Sequence, residues 1–529
     1  MAVNFDETLR KIGEFGPYQR RVYFLLCLLV VFIGLSDVVN AFLLFTPNYR
    51  CFGLNENTLA NFTNGTVDNE EPKCTQSLEI INSSGHEENT VDICTSWKYD
   101  KSVFVESIVT ENDLVCDNDL IPTYIQMIVY VGSFCGSLVQ GVLADCIGRQ
   151  KTICISLVMF FLSGMASAWS SNYYAFTAFR FLQGFSSRGV FIPTFVLGVE
   201  MVGPSKRQYA GFLLNYFYSG GVVLLAGIGY GFRHWKYIQI VSSAPVIIFL
   251  MYWWILPESP RWLISRGRKT EYKAVLMKIA KSNNKESCVP LNDDCFEESE
   301  NVVSTKTYHF ENLVSSRSLL CHSLVICFNV FVVYHCYFGF ALNTENLSGN
   351  FYMNFLINGL VEFPANTIAL VFSNRIGRKK LYISAMFLAG IMLLCSAGTT
   401  VFLIKDFRNV TLAMAMMGKL GVTVGYCVIY LWAAEIFPTV FRNSGMGLSL
   451  ACGNIGYIVA PFIAQLATNA TSAISQAAPL IVFGTFSLAA SLLTLLLPET
   501  NKEQLPETVH YIENAPKHLN TVINAQDIS

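Results

Sequence analysis

Long apolar runs broken by short polar stretches dominate this chain. Runs near the ~20 residues that a bilayer-crossing helix needs fall at 22–45, 123–144, 152–169, 174–199, 209–231, 237–256, 319–341, 351–373, 381–404, 410–433, 444–467 and 477–497. The pattern predicts an all-α polytopic membrane protein with twelve spans. The first run, from Val22 to Phe45, has no small-residue cleavage site behind it and reads as a span, not as a removed leader. An even number of spans puts both termini on one side.

The polar breaks say which side. Short loops rich in Lys and Arg stay in the cytoplasm. The basic breaks run from Arg149 to Lys151, Lys206 to Arg207, Arg261 to Lys273 and Arg375 to Lys380, and all fall on the side of the N-terminus. The first long break, 46–121, is acidic and belongs on the other face. It holds Cys51, Cys74, Cys94 and Cys116. An even set of cysteines in an outer loop reads as two disulfides, with three possible pairings. Asn-x-Ser/Thr acceptors stand at Asn61, Asn64, Asn82, Asn346, Asn409 and Asn469, all on the expected outer side. These signals make the expected location the plasma membrane, with both termini cytoplasmic.

Composition agrees with the pattern. The 529 residues are 52% hydrophobic and 14% charged, with a mean hydropathy of +0.41. A water-soluble domain carries about 25% charged residues. The net charge of -2 offers no basic footprint for nucleic acid.

Three short patterns recur six spans apart. Asp145-x-Ile-Gly148-Arg149-x-Lys151 returns as Asn374-Arg375-Ile-Gly377-Arg378-Lys379-Lys380. Glu200 with Arg207 returns as Glu435 with Arg442, and Pro257-Glu258-Ser259 as Pro498-Glu499-Thr500. Three repeats in matching order imply a duplicated six-span unit. The expected parts are an N-terminal segment 1–21, a first bundle 22–256, a cytoplasmic linker 257–318, a second bundle 319–497 and a tail 498–529. Two such bundles can rock about a site at their junction. The repeated carboxylates and cations at the span ends are then candidate gates.

The stretch from Gly141 to Lys151 resembles the signature loop of the major facilitator superfamily. Pro257-Glu-Ser-Pro-Arg-Trp262, Ala434-Glu435-Ile-Phe-Pro438-Thr439 and the cysteine-bearing outer loop resemble the organic cation, carnitine and organic anion transporters, solute carrier family 22. The resemblance implies the major facilitator fold and transport of a small organic ion.

A charge at the centre of a span costs roughly 2.5–3.5 kcal/mol on insertion scales, so a retained one is a functional candidate. Asp37, Arg180, Arg188, Glu362 and Lys419 qualify. Val361-Glu362-Phe363-Pro364 is similar to the cation-transporting members, which implies a cavity role for Glu362; pairing with Lys419 or with an Arg of the other half is the alternative. Asp37 belongs either to the cavity or to the outer mouth. The resemblance further implies cavity positions for Tyr218, Tyr352, Tyr426 and Tyr430, whose rings could hold an ammonium group. Asn215 and Gln239 could add hydrogen bonds. At Asn454 cation carriers of the family have Asp, and anion and carnitine carriers have Arg; Asn366 is neutral where an anion carrier would place Lys. With both positions uncharged, Glu362 and Asp37 favour cations or ammonium-bearing zwitterions such as carnitine. Organic anions, a ligand sensor and a channel are the alternatives.

No Walker loop or metal motif occurs in the sequence, and no catalytic constellation, cofactor or metal is implied. Gradients would drive transport. For a cation the membrane potential supplies about 2.3 kcal/mol per 100 mV. A coupling proton or sodium ion could act through Asp37 or Glu362.

Overall fold

A computed structural model describes residues 5–51, 74–81, 87–286, 317–343, 350–402, 408–437, 442–467 and 472–500. Its helices sort side chains inside out. On Ile121–Ile147, Leu138, Val139 and Val142 are exposed, whereas Gln126, Ser133 and Gln140 are buried. Lipid is the solvent that such a surface suits.

The spanning helices are α1 Pro17–Val38, α2 Ile121–Ile147, α3 Arg149–Ala168, α4 Tyr173–Glu200, α5 Arg207–Phe232 and α6, which opens at Trp235–Ser243 and runs on to Tyr252–Ile255. The second set is α7 Arg317–Leu342, α8 Phe351–Ile376, α9 Arg378–Phe402, α10 Arg408–Ile436, α11 Arg442–Gln465 and α12 Ala473–Leu493. Eleven of these are long and apolar enough to cross a membrane. The other, α4, buries Arg180 and Arg188. Apolar runs thus located the helices to within a few residues, although α1 begins five residues earlier than its run, at Pro17.

Helix packing repeats with the duplication. In the first set α1 packs on α5, and α2 and α3 pack on α4; in the second α7 packs on α11, and α8 and α9 on α10. The sets meet through α5 against α8 and α2 against α11. These two contacts exchange under the same pseudo-symmetry. Small residues permit the closest approaches. A Cβ on Gly34 of α1 would strike the Tyr218 carbonyl of α5, and one on Gly221 would strike that of Val31.

The outer loop departs from the all-helical expectation. β1 Tyr49–Cys51 pairs antiparallel with β4 Trp97–Tyr99, and β2 Thr75–Ile81 with β3 Glu87–Ile93. The Thr, Val and Ile content of β2 and β3 suits strands. Of the three possible cysteine pairings the loop shows Cys51–Cys94 and Cys74–Cys116, with Cα separations of 5.8 and 5.6 Å. Asn409 is exposed near the start of α10. Asn61, Asn64, Asn82, Asn346 and Asn469 lie outside the described residues.

After α6 the chain forms two short helices, Pro260–Ser265 and Lys269–Ser282. The second buries Tyr272, Leu276 and Ile279. Asn283 then donates to the Ile12 carbonyl at 3.0 Å and to Gln19 Oε1 at 3.1 Å, tying this segment to the start of the chain.

Candidate functional site

Where the two helix sets meet, a cavity of about 400 Å³ lies between α1, α4, α5, α7, α8 and α10. Asp37, Arg188, Phe191, Asn215, Tyr218, Ser219, Tyr337, Glu362, Asn366, Thr423, Tyr426 and Cys427 line it. Six of the ten sequence candidates are therefore brought together: Asp37, Asn215, Tyr218, Glu362, Asn366 and Tyr426. Asp37 is a wall residue of this cavity, not of the outer mouth.

Each carboxylate is held by a cation of its own helix set. Arg188 Nη2 donates to Asp37 at 2.8 Å, and the Ser187 and Tyr218 hydroxyls donate to it at 3.3 Å. Glu362 accepts from the Tyr337 hydroxyl at 2.6 Å and the Ser219 hydroxyl at 2.8 Å, with the Lys419 ammonium 3.4 Å away. Both readings of Glu362 hold at once: it lines the cavity and it pairs with Lys419. Removing one member of such a pair leaves a buried charge unanswered, which is strongly destabilising. The two clusters touch through α5, where neighbouring residues serve different acids: Tyr218 bonds Asp37 and Ser219 bonds Glu362. Asn366 donates to Ser219 at 3.3 Å and accepts from the Cys427 thiol at 3.0 Å.

Aromatic faces surround the acids. Tyr337 stacks on Tyr426 with centroids 5.0 Å apart, and the Arg188 guanidinium lies 5.7 Å from the Tyr457 ring. Ser219, Tyr337, Thr423 and Cys427 escaped sequence reasoning, because nothing in a local pattern marks a polar residue as facing a distant helix.

Four candidates stand elsewhere. Gln239 donates to Gln183 and Ser243 inside the first helix set. Tyr352 sits at the outer end of α8, where its hydroxyl donates to the Val103 carbonyl at 2.7 Å. Tyr430 packs beside Tyr426 and Tyr334, behind the cavity wall. Asn454 donates across the junction to Ser137 at 3.2 Å.

At the far ends of the spans the repeated motifs converge on one another. Gly148 and Gly377 adopt φ of 108° and 100°, a region in which L side chains are strained. The turns let α3 and α9 start directly below a carboxylate. Glu258 accepts from the Arg149 and Gln150 backbone amides at 2.8 and 3.3 Å. Glu499 accepts from those of Arg378 and Lys379 at 2.9 and 3.2 Å. A helix N-terminus favours such an anion. Even so, burial pushes the Glu258 carboxyl above the usual range, against the pull of those amides and of Arg149. Arg149 lies 3.1 Å from Asp145 and 3.4 Å from Glu200; Arg378 lies 3.0 Å from Glu435. The carboxylates of α4 and α10 thus meet the Gly-Arg turns, a partnership that spacing alone did not suggest. Arg207 also makes contacts, Lys151, Asn374 and Arg375 are exposed, and the Arg442 side chain lies outside the described residues.

Contacts joining the two sets run from the cavity toward the opposite end. Phe42 packs on Phe351 and Phe355, Thr123 donates to Gln465 at 2.9 Å, and Tyr130 stacks on Tyr457. The cavity is therefore shut on the side of the outer loop.

Comparison with known proteins agrees with this architecture. The profile of the family described as "Sugar (and other) transporter" matches residues 60–510. The organic cation transporter protein of Drosophila melanogaster is 36% identical, covering 97% of this chain and 95% of its own. Solute carrier family 22 member 3 of Rattus norvegicus is 32% identical over 96% and 95%, and member 2 of Homo sapiens 31% over 97% and 96%. The inward-open xylose transporter XylE from E. coli superimposes with a TM-score of 0.64 at 16% identity, over 92% of this chain and 98% of that one. This last likeness concerns the fold.

Proposed function

The chain belongs to solute carrier family 22 of the major facilitator superfamily, and we propose that it carries small organic ions across the plasma membrane by alternating access. It is a multi-pass transporter and not an enzyme. The favoured cargo is an organic cation or an ammonium-bearing zwitterion such as carnitine. The observation that carries this reading is the junction cavity with a carboxylate from each half, Asp37 and Glu362, among tyrosine faces. An ammonium group gains from both the charge and the rings. The relatives named as organic cation transporters support the same class.

The basic loops support cytoplasmic termini; with the opposite end shut, the cavity then opens inward. The Arg149–Glu200 and Arg378–Glu435 pairs then act at the cytoplasmic gate, and the Phe42–Phe355 contact at the outer one. Glu362 is the primary cargo contact. Its bond from Ser219 of the first half lets cargo binding there loosen or tighten the junction.

The test is uptake of labelled tetraethylammonium and carnitine into proteoliposomes. Saturable flux accelerated by unlabelled cargo on the far side is the expected result. Current that does not saturate would indicate a channel, and binding without flux a sensor. Arg188 on the cavity wall supports organic anions as the second reading; uptake of p-aminohippurate in preference to both other solutes would establish it.

A further inference from the structure

The charges enclosed in the middle of the spans do not balance. Among the described residues, Arg188 is answered by Asp37 and Lys419 by Glu362. Arg180, only 1% exposed, has no carboxylate of the described residues within bonding distance; Asp37, already bonded to Arg188, acts on it from farther off. Its guanidinium rests on amide oxygens: Gln183 Oε1 at 2.5 Å, Gln239 Oε1 at 3.5 Å and Asn40 Oδ1. Its Nε bonds nothing. A buried cation in this position calls for a counter-charge.

Asn40 shows where that charge could come from. Because its carbonyl oxygen turns to Arg180, its amide nitrogen is left over, buried and without an acceptor. Asn40 also lines a second cavity, of about 470 Å³, away from the Gly-Arg turns and formed by residues 40–46 after α1 together with α2, α7 and α11. Thr123, Gln126 and Gln465 supply further polar groups there, and no carboxylate lines it. A cation whose nearest acid is shared with Arg188, an idle donor wired to it and an acid-free cavity coincide at one residue.

We propose that this second cavity binds a small monovalent anion, a halide or a carboxylate group, which accepts a hydrogen bond from Asn40 Nδ2 and balances Arg180. The amide acts as the bridge: the anion strengthens its N–H dipole on one side while the guanidinium holds its oxygen on the other. Neutral amides plus one remote cation suit a single negative charge better than a doubly charged ion. Because the cavity spans both helix sets, from Thr123 to Gln465, an anion in it also favours the closed outer end.

The test uses the purified full-length protein in detergent, melted in sodium chloride, sodium acetate or sodium gluconate at one ionic strength. Gluconate, bulky and strongly hydrated by its hydroxyls, is the reference anion expected to bind least. Chloride, acetate or both should raise the melting temperature over gluconate by about 2 °C or more. A gain with chloride alone identifies a halide site; a gain with acetate alone identifies a carboxylate site. Asn40→Asp supplies an internal anion beside Arg180. This variant should melt in gluconate at or above the wild-type temperature in chloride, and should ignore the choice of salt. Coincident wild-type curves in all three salts would overturn the proposal. So would an Asn40→Asp protein that keeps the wild-type salt response. The readout requires no transport, so it stands or falls apart from the cargo assignment.

Discussion

Glu258 closes the Gly148-Arg149 turn in the first half, and Glu499 closes the Gly377-Arg378 turn in the second, each through two backbone amides. In mid-span the halves differ. Among the described residues, the second half buries one acid and one base there, Glu362 and Lys419; the first buries one acid, Asp37, with two bases, Arg180 and Arg188. Structure repeated in both halves does the same job in both, which here is to start a helix under a capped turn. The divergent interiors are where recognition of a single, asymmetric solute has to reside.

The contrast is sharpest at Glu362, which joins the halves, whereas Asp37 is bonded within its own. Hydrogen bonds to charged groups contribute ~1.5–3 kcal/mol, so Glu362→Gln should lower tetraethylammonium uptake about tenfold or more at equal surface expression. Unchanged kinetics would remove Glu362 from the cargo site.

The turns should fail alike. A Cβ on Gly148 would collide with Glu258 Oε2, and one on Gly377 with Glu499 Oε2, at backbone angles that already disfavour it. Gly148→Ala and Gly377→Ala are each expected to destabilise by roughly 1–2 kcal/mol, read as matched drops in melting temperature. A large disparity would break the likeness of the turns.

How far could these contrasts be read before the fold was known? The twelve spans and the repeated motifs were legible, since lipid demands long apolar helices and duplication preserves short patterns. That Glu258 caps Arg149 was not, because the repeat marks both residues without saying that they meet. Asp37 and Arg188 stand 151 positions apart, and their pairing depends on how α1 crosses α4. Tyr352 and Gln239 show the converse failure. Family position suggested a cavity role, but Tyr352 lies beyond the closed outer end and Gln239 faces the interior of one bundle. The disulfide pairing was open for a similar reason: Cys116 stands outside the strands, and only the folded loop brings it to Cys74 and leaves Cys94 to Cys51.

A smaller effect concerns pH. Burial raises the Glu258 carboxyl above its usual range, so the folded protein takes up a proton there before the unfolded chain does. Stability should therefore rise as pH falls through the raised value, and level off below the ordinary one. Melting curves of Glu258→Gln should lack that component; an identical pH profile would contradict it.

The least change is expected from Asp145→Asn. Asp145 is 72% exposed beside Arg149, and exposed pairs contribute little. The second half already has Asn374 in this place. Melting should stay the same while turnover slows, seen as a lower maximal uptake rate at unchanged half-saturation.

The central claim is that the two halves move against each other around the junction cavity. Spin labels at Leu120 and Leu466 report the end beside the outer loop, and labels at Lys151 and Lys380 report the Gly-Arg end; all four positions are exposed. Distances should be measured in liposomes with and without tetraethylammonium. Reciprocal shifts, one end widening as the other narrows, are the predicted result. Distances that stay fixed at both ends while labelled cargo crosses the membrane would contradict the account.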